Sequence, residues 1–229
     1  MKEFTKYSLS MLLSKYLLHT SHLISHISHL IMMYYNTKDV NALLRNRRSS
    51  YPSQFDPIVR TIPRKIVEEI LINATHAPNH GKTEPWHFVV FGGDGRRKLG
   101  EFQAKLYKEL SEKEGNFDEN KFIKLLETPL KASHVIAIGM KRQESGKIPE
   151  IEEISAVACA VQNIYLSATA YGLGGYWGSG GITYAPEAKS FFGLGENDQL
   201  MGFFYLAFVV KASPEYIRKP LSEKVTWVE

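Results

Sequence analysis

The 229-residue sequence contains one cysteine, Cys159. A single thiol cannot form an intrachain disulfide, and it cannot supply a metal centre with several thiolates. Any redox chemistry must therefore come from a bound cofactor. Because proteins without disulfides are typical of reducing compartments, we expect a cytoplasmic protein.

The sequence also lacks a large excess of charge of either sign. Its 28 Lys and Arg residues face 24 Asp and Glu residues, and residues 1–38 account for most of the formal net charge of +4. The rest of the chain is nearly neutral, which excludes the basic stripe that nucleic-acid-binding proteins present. With 44% hydrophobic and 23% charged residues, the composition is that of an ordinary globular protein.

A long apolar run is missing from the N-terminal segment, residues 1–38. Lys15 and several histidines interrupt its apolar stretches. The segment therefore lacks the core of a secretory signal peptide and the roughly 20 apolar residues of a membrane span. We expect no association with a membrane.

The same segment repeats a Ser-His pair three times. In a helix, His22, His26 and His29 would share one face, which leaves open a metal-binding or amphipathic surface that acts on a partner or a membrane. We favour a non-conserved leader that is disordered or loosely helical, with Met32 or Met33 opening the working protein. A chain without the residues before Met32 is then expected to fold and to be active.

Beyond this leader, the sequence predicts one domain, residues 39–229, in which helices and strands alternate irregularly. Helices are predicted after Asp39, Pro63 and Asp94 and over residues 121–127, 154–171 and 186–192, and strands over residues 86–91, 134–140, 172–181 and 202–210. This order fits an α+β fold with a sheet flanked by helices. The extended tail, residues 211–229, is predicted to cover a surface or a partner subunit.

The longest stretch without charge covers 33 positions, residues 154–186. Its first half predicts a helix that is apolar nearly all round, which is typical of a large core or an interface. Gln162 and Asn163 in the middle of this helix argue against a membrane span. We therefore expect a central core helix, followed by a glycine-rich turn and strand.

Two glycine-rich segments resemble nucleotide-binding motifs without satisfying them. Gly81-Lys82-Thr83 resembles the end of a P-loop, but His76 stands where the first glycine is required. The segment GLGGYWGSGG, residues 172–181, contains no G-x-G-x-x-G register. The sequence therefore argues against both a P-loop nucleotide triphosphatase and a Rossmann dehydrogenase.

His76 and His80 have the i, i+4 spacing that suits a metal on a helix. Pro78 lies between them, however, and the residues around it favour a turn, so the two rings need not share a face. We expect no metal site, and each histidine alone is accounted for as a hydrogen-bonded loop residue.

Arg47-Arg48-Ser49 follows the first predicted helix and offers two guanidinium groups and a hydroxyl. Such charge-assisted donors suit a dianionic phosphate. Two consecutive arginines are also common at a solvated helix end, so the residues alone leave both interpretations open.

Taken together, four separated motifs resemble the flavin-dependent nitroreductase family, and within it the branch of small NAD(P)H nitroreductases. In chain order they are Arg47-Arg48-Ser49, Ala77-Pro78-Asn79-His80, Glu84-Pro85-Trp86-His87-Phe88, and Gly172-Leu173-Gly174-Gly175 with Trp177-Gly178-Ser179. The resemblance runs from about Asp39 to Val210. It implies a nitroreductase-like fold, with a central, mostly antiparallel sheet flanked by helices, and a homodimer with FMN at its interface.

The resemblance also implies roles for individual residues, and it implies no catalytic side chain because flavin N5 is the reactive centre. The implied FMN-binding residues are Arg47, Arg48 and Ser49 at the phosphate and ribityl chain, His76 and His80 from the neighbouring subunit, and Trp177, Gly178 and Ser179 at the phosphate and ring. The implied nicotinamide-binding residues are Ser167, Ala168, Thr169, Ala170, Tyr171 and Gly172.

Three positions depart from the family pattern. His76 and Gly178 stand where relatives often have arginine, and Glu84 stands where many have glutamine. The departures affect the expected phosphate affinity and substrate preference more than flavin binding itself.

The activity implied by the resemblance is reduction of a small-molecule acceptor, such as a nitroaromatic or a quinone. NADH or NADPH would supply a hydride to FMN, which would pass two electrons on in a ping-pong reaction. An FMN-binding module with lost or non-reductive chemistry stays open as the alternative.

Overall fold

The computed structural model describes residues 35–229, so the predictions for the Ser-His segment lie outside the described residues. The first described helix, α1 (Thr37–Asn46), belongs to a different compact unit from residues 47–229 and is considered by itself. Asp39 was predicted to cap this helix but lies in its first turn, where a carboxylate favours the positive end of the helix dipole.

Residues 47–229 form the second unit, which contains a sheet and most of the helices. In chain order its elements are α2 (Arg64–Thr75), β1 (Trp86–Gly92), α3 (Gly95–Glu114), α4 (Glu119–Glu127), β2 (His134–Met140), α5 (Glu150–Ala170), β3 (Leu173–Gly178) and β4 (Gln199–Phe208). Short 3-10 helices occupy Pro52–Gln54, His80–Lys82, Thr128–Lys131, Pro186–Phe192 and Leu221–Glu223.

Within this unit the sheet has four strands in the order β1-β2-β4-β3, and every neighbouring pair is antiparallel. The last strand in the chain, β4, therefore lies between β2 and β3. The glycine-rich strand β3 lies at one edge of the sheet. This arrangement confirms the predicted α+β fold with an antiparallel sheet flanked by helices.

Each face of the sheet packs against its own helices. Alternation along β4 sends Phe204 and Leu206 into a core with α2 and α5, and sends Phe203 and Tyr205 into a second core with α3. The same alternation directs Trp177 of β3 toward the α5 face and places Tyr176 with the α3 core. The two faces of β3 therefore belong to different parts of the molecule.

The central helix α5 is longer than predicted, because it begins at Glu150 rather than Ile154. Three glutamates in its first turn are favourable near the positive end of the helix dipole. One of them, Glu153, is 1% exposed and is paired with Arg142. The predicted apolar helix is confirmed, and it packs against α2 and the sheet.

Asp94 occupies the N-cap position of α3 as predicted, although its carboxylate makes no capping hydrogen bond and pairs with Arg97. The boundary of β4 differs from the prediction. β4 begins at Gln199 rather than Gly202, and the register between β2 and β4 shifts beside Gly202, which has a φ of 108°. This glycine marks a bulge inside the strand rather than its start.

The tail beyond Val210 carries exposed apolar side chains. Among them are Ile217, Trp227 and Val228, which are 87%, 79% and 94% exposed. Of the helices within residues 35–229, none is long and apolar enough to cross a membrane.

Candidate functional site

The segment that carries the paired arginines lies against the free edge of the sheet. The Ser50 backbone N–H donates a hydrogen bond of 2.9 Å to the carbonyl oxygen of Gly175 in β3. The approach is possible because the neighbouring residue, Gly174, has no side chain: a Cβ there would lie 3.0 Å from Ser50 Oγ and 2.6 Å from Val209 Cγ2. Arg47, Arg48 and Ser49 are therefore brought to the edge of the glycine-rich strand.

Tyr165 of α5 joins this segment to β3. Its hydroxyl accepts a hydrogen bond of 2.8 Å from the Trp177 backbone N–H and shares one of 3.2 Å with Ser49 Oγ. The guanidinium carbon of Arg47 lies 4.8 Å from the centre of the Tyr165 ring, within the range of a cation–π contact. The ring itself packs edge-on against Phe204 in the core. One side chain thus holds three of the predicted site residues together.

Trp177 forms a wall of a shallow slot on the α5 face. Its indole N–H donates a hydrogen bond of 2.8 Å to the Met201 carbonyl, which fixes the plane of the ring. The slot has a volume of about 330 Å³, and its lining includes Ile154, Trp177, Ser179, Tyr184 and Met201. This volume is at the lower end of the range for small-molecule pockets.

The two arginines and Ser49 are half-buried rather than fully solvated. Arg48 Nη1 donates a hydrogen bond of 3.0 Å to the Arg47 carbonyl. Half-buried guanidinium groups beside a hydroxyl can bind an anion with charge-assisted hydrogen bonds, which are stronger than neutral ones. The three residues are therefore not a fully solvated helix end, and the anion-site interpretation stays a prediction.

The start of the tail also reaches this site, which the sequence did not predict. Ser213 Oγ donates a hydrogen bond of 3.1 Å to the Ser49 carbonyl and lies 3.3 Å from Ser50 Oγ. Gln54, which is buried, donates to the same Ser213 hydroxyl at 3.0 Å. A serine more than 150 positions away in sequence gives no local signal for such contacts.

The sequence contains a signal for the contacts of Tyr165. A tyrosine in the middle of an apolar helix brings a hydroxyl into the core, and a buried hydroxyl needs a hydrogen-bonding partner. That requirement marks Tyr165 as a residue that connects α5 to another polar group, although it does not identify Trp177 or Ser49.

The two histidines of the predicted site lie at the end of α2 and in the loop that follows it. His76 is exposed and ends α2, and His80 is exposed with Nδ1 2.5 Å from Oε2 of Glu152. Glu152 and Tyr165 are thirteen residues apart on α5, a rise of about 20 Å along the helix. Within one chain, His80 is therefore not at the site around Tyr165.

The loop that contains His80 has a strained backbone. Lys82 and Glu84 have positive φ angles of 54° and 46°, which residues with side chains rarely adopt. The side-chain oxygen of Asn79 supports this conformation by accepting a hydrogen bond of 3.1 Å from the Glu84 N–H. Such strain is concentrated at functional sites in many proteins.

The predicted nicotinamide segment ends α5 and continues into the turn before β3. Ser167 and Ala168 are buried, and the Ser167 hydroxyl accepts a hydrogen bond from Asn73 of α2. Tyr171 is 44% exposed, and Gly172 adopts a positive φ of 68° at the turn. The surface of this segment is therefore formed by its C-terminal half.

Burial raises the pKa of Tyr176 to about 12, with smaller contributions from Tyr51 and Tyr165. The Tyr176 hydroxyl is therefore neutral at physiological pH, and the positive charge of Arg47 and Arg48 is not offset by a phenolate on the neighbouring strand. In the part of the chain that the structure describes, no group of three or more His, Cys, Asp or Glu side chains could hold a metal ion.

The fold and the site together define an α+β protein with a half-buried pair of arginines at the free edge of an antiparallel sheet. The model of the nitroreductase family matches residues 44–208. The chain is 33% identical to the protein named "Putative NAD(P)H nitroreductase YdjA" of Escherichia coli strain K12. The aligned region of 169 residues covers 73% of this chain and 87% of that protein. The chain belongs to the nitroreductase family.

Solved structures share the fold. The nitroreductase-like family protein from Bacillus cereus is 26% identical, with a TM-score of 0.70 over 86% of this chain and 98% of that one. The FMN-dependent nitroreductase NfnB from Mycobacterium smegmatis, solved in complex with NADPH, has a TM-score of 0.63 over 84% of this chain and 99% of that one, at 17% identity.

Proposed function

We propose that the protein is an FMN-dependent NAD(P)H oxidoreductase that reduces nitroaromatic, quinone or related small-molecule acceptors. The observation that carries this proposal is the Tyr165 junction, which brings Arg47 and Ser49 to the strand that contains Trp177. Membership of the nitroreductase family and the name of the Escherichia coli relative support the same activity.

The residues at the junction fit FMN in charge and in shape. Arg47, Arg48 and Ser49 supply positive charge and donors for its phosphate. The slot beside Trp177 offers apolar walls to a flat ring system. Gly178 faces the Tyr176 side of β3, where a Cβ would meet the Tyr176 ring at 3.0 Å.

When bound, FMN would supply the redox chemistry, namely acceptance of a hydride from NADH or NADPH and transfer of two electrons to the acceptor in a ping-pong reaction. The protein then needs no side-chain nucleophile. Tyr165 is a positioning residue that fixes Ser49 and the Trp177 backbone, and Trp177 and Ser179 line the slot in which the flavin ring would lie. On the surface at the end of α5, residues 169–172 form the exposed part of the nicotinamide segment, with Ser167 and Ala168 beneath it.

We further propose that the protein works as a homodimer in the cytoplasm. His76 and His80 would contact the flavin bound to the other subunit, because about 20 Å of α5 separates His80 from Tyr165 in its own chain. Exposed apolar side chains on the tail, such as Ile217 and Trp227, support an interface between subunits.

The proposal is tested on the purified protein by its visible absorption spectrum. We expect a yellow protein whose flavin absorbance is bleached by NADPH or NADH and returns when a nitroaromatic or quinone is added. Arg47→Gln and Arg48→Gln should lower FMN affinity by at least tenfold, whereas Lys65→Gln on the exposed side of α2 should leave it unchanged.

A protein that stays colourless after addition of FMN would refute the proposal. A yellow protein that neither nicotinamide bleaches would instead indicate a flavin-binding module without reductase activity.

A further inference from the structure

A peptide unit directly after the paired arginines is held by hydrogen bonds at both ends. It joins Ser49 to Ser50, and its N–H donates a hydrogen bond of 2.9 Å to the Gly175 carbonyl in β3. Its C=O accepts a hydrogen bond of 3.1 Å from the Ser213 hydroxyl. Because a peptide unit is planar, these two bonds fix the orientation of the whole unit. The sheet supplies one bond, and the start of the tail supplies the other.

The Ser213 hydroxyl is itself oriented by Gln54. The Gln54 side-chain N–H donates to Ser213 Oγ at 3.0 Å, and the oxygen of the same amide accepts a hydrogen bond of 2.9 Å from the Tyr51 backbone N–H. Since an amide nitrogen can only donate, the hydroxyl directs its own proton to another acceptor, which is the Ser49 carbonyl. The Ser50 hydroxyl, 3.3 Å from Ser213 Oγ, can donate to the same oxygen.

Gln54 is fixed in turn by the residues just before Ser213. Its side chain also donates to the Lys211 carbonyl at 3.4 Å, and its backbone carbonyl accepts a hydrogen bond of 3.0 Å from the Val210 N–H. Gln54 is 8% exposed, and a buried amide that uses its donors and its acceptor in this way has a defined orientation. We call Gln54 and Ser213 the tail clasp, because together they tie residues 49–54 to the start of the tail.

The tail clasp acts on the geometry of the arginine segment and not on its charge. Ser213 is neutral, and its proton is directed to the Ser49 carbonyl, so it is not available as a donor to a bound anion. Arg47 and Arg48 directly precede the peptide unit that the clasp fixes. The path of the chain at Ser49, and with it the placement of the two guanidinium groups, therefore depends on the Ser213 hydroxyl.

We propose that the tail clasp positions Arg47, Arg48 and Ser49 for the flavin phosphate and thereby gives the protein a preference for FMN over riboflavin, which lacks the phosphate. This inference rests on the proposed function. Without the clasp, the three phosphate donors are less preorganised, and the affinity for a phosphate falls. The ring of either flavin would lie in the slot beside Trp177, which the clasp does not touch. Riboflavin binding is therefore independent of the clasp.

The test is a fluorescence titration of the flavin-free, full-length protein with FMN and with riboflavin. Ser213→Ala removes the hydroxyl and adds no bulk. We expect it to weaken FMN binding about fivefold, the effect of one neutral hydrogen bond, and to change riboflavin binding by less than about twofold. Ser111→Ala is the matched control, because Ser111 Oγ also donates to a backbone carbonyl, that of Tyr107 on α3, at 2.7 Å. This control should leave both affinities unchanged.

A second variant, Gln54→Met, tests whether Gln54 acts through Ser213. It keeps the length of the side chain but removes the amide, so it should also narrow the preference for FMN. Adding Ser213→Ala to it should cause little further loss, because both changes break the same contact. Additive losses would overturn the assignment of Gln54 to the clasp. Circular dichroism checks that each variant is folded; if Gln54→Met is not, Ser213→Ala alone decides, since Ser213 is only half-buried.

The outcomes separate the clasp from the flavin function on which it rests. Equal losses of FMN and riboflavin affinity in Ser213→Ala would overturn the proposal, because the clasp would then support the fold and not the phosphate site. Unchanged FMN affinity in this variant would overturn it as well. Either result, with a wild-type protein that binds FMN and is bleached by NADPH, refutes the clasp alone. A wild-type protein that binds neither flavin refutes the proposed function, and the clasp with it.

Discussion

Tyr165 makes contacts that no other residue type can reproduce at its position. Its ring packs against Phe204, its face meets the Arg47 guanidinium, and its hydroxyl binds both Ser49 and the Trp177 backbone. A substitution by phenylalanine removes the hydroxyl and keeps the ring. The contribution of the hydroxyl to stability and to FMN binding can therefore be measured separately from the packing of the ring in the core.

Tyr165→Phe should destabilise the protein by about 1–3 kcal/mol, because the Trp177 N–H loses its partner. FMN binding should weaken as well, since Ser49 is no longer fixed. Urea unfolding and flavin titration measure the two effects. Tyr107→Phe is the matched control, because its hydroxyl accepts a similar hydrogen bond of 2.9 Å from the Asp118 N–H on the other face of the sheet. Equal loss of FMN affinity in both variants would contradict a specific role for Tyr165.

His134 provides a second test at the scale of single residues. Ser133 Oγ accepts a hydrogen bond from the Ile62 N–H and lies 3.0 Å from His134 Nδ1, so its proton is directed to an unprotonated ring nitrogen. Burial, and secondarily the charge of Arg96, lowers the pKa of His134 from its ordinary value near 6.5. The folded state therefore favours the neutral ring.

The consequence is a loss of stability in acid. Above pH 6.5 the ring is neutral in both states, and as the pH falls below 6.5 the unfolded chain takes up a proton first. The urea midpoint should fall between pH 7.5 and pH 5 by more in the wild type than in His134→Gln. An identical fall in the two proteins would show that the histidine is not responsible.

At the scale of elements, the glycines of β3 determine whether the site can form. A Cβ on Gly175 would lie 1.9 Å from the backbone oxygen of Tyr205 in the neighbouring strand. The same glycine offers the carbonyl that Ser50 binds. An added methyl group would therefore disturb both the β3–β4 pairing and the arginine segment.

Gly175→Ala should destabilise the protein by about 1–3 kcal/mol or more, and it should weaken FMN binding. Gly95→Ala is the control: it opens α3, and an added Cβ there would meet Phe91 at an ordinary contact distance of 3.9 Å. Alanine is the better helix former, so this variant should be as stable as the wild type or slightly more stable. Thermal unfolding and flavin titration compare the two, and a Gly175→Ala protein with wild-type values would contradict the prediction.

The sequence predicted most of the elements because their signals are local. The strand His134–Met140 has the bounds that its apolar run indicated, and the uncharged helix was recognised from its lack of a polar face. Gly202 was misinterpreted as the start of a strand, because a glycine at a bulge and a glycine at a boundary are identical in sequence.

The site was predicted only in part, since its contacts are not local. Arg47 was identified from its local pattern and from the family resemblance, and Trp177 from the resemblance alone, but Tyr165 between them was not identified. The contacts of Ser213 with Ser49 depend on the complete sheet, so no spacing rule could show them. Family resemblance located segments, and the structure supplied the side chain that connects them.

At the scale of the whole molecule, the tail tests the proposed dimer. Its apolar residues, including Tyr216 and Leu221, are 63% and 68% exposed in the single chain. Residues up to Ser213 are tied to the sheet through Gln54, whereas those beyond it are exposed. A truncation after Ser213 therefore removes the exposed apolar surface and keeps the contacts at Ser49.

Deletion of residues 214–229 should convert a dimer to a monomer, because the apolar surface that would join the subunits is removed. Light scattering measures the mass, and circular dichroism checks that the sheet is retained. Ser49→Ala, which alters the anion site without touching the tail, is the control and should leave the mass unchanged. A truncated protein that keeps the dimer mass would exclude the tail as the interface.

The position of β4 in the sheet also determines when the protein can acquire its cofactor during synthesis. β4 is the last strand to leave the ribosome, yet it lies between β2 and β3, and the arginine segment at position 47 rests on β3. A nascent chain that ends before residue 199 contains Arg47, Arg48 and Ser49, the proposed phosphate-binding residues, but has no neighbour for the strand on which they rest. Any flavin must therefore be loaded after translation is nearly complete, and incomplete chains cannot sequester it.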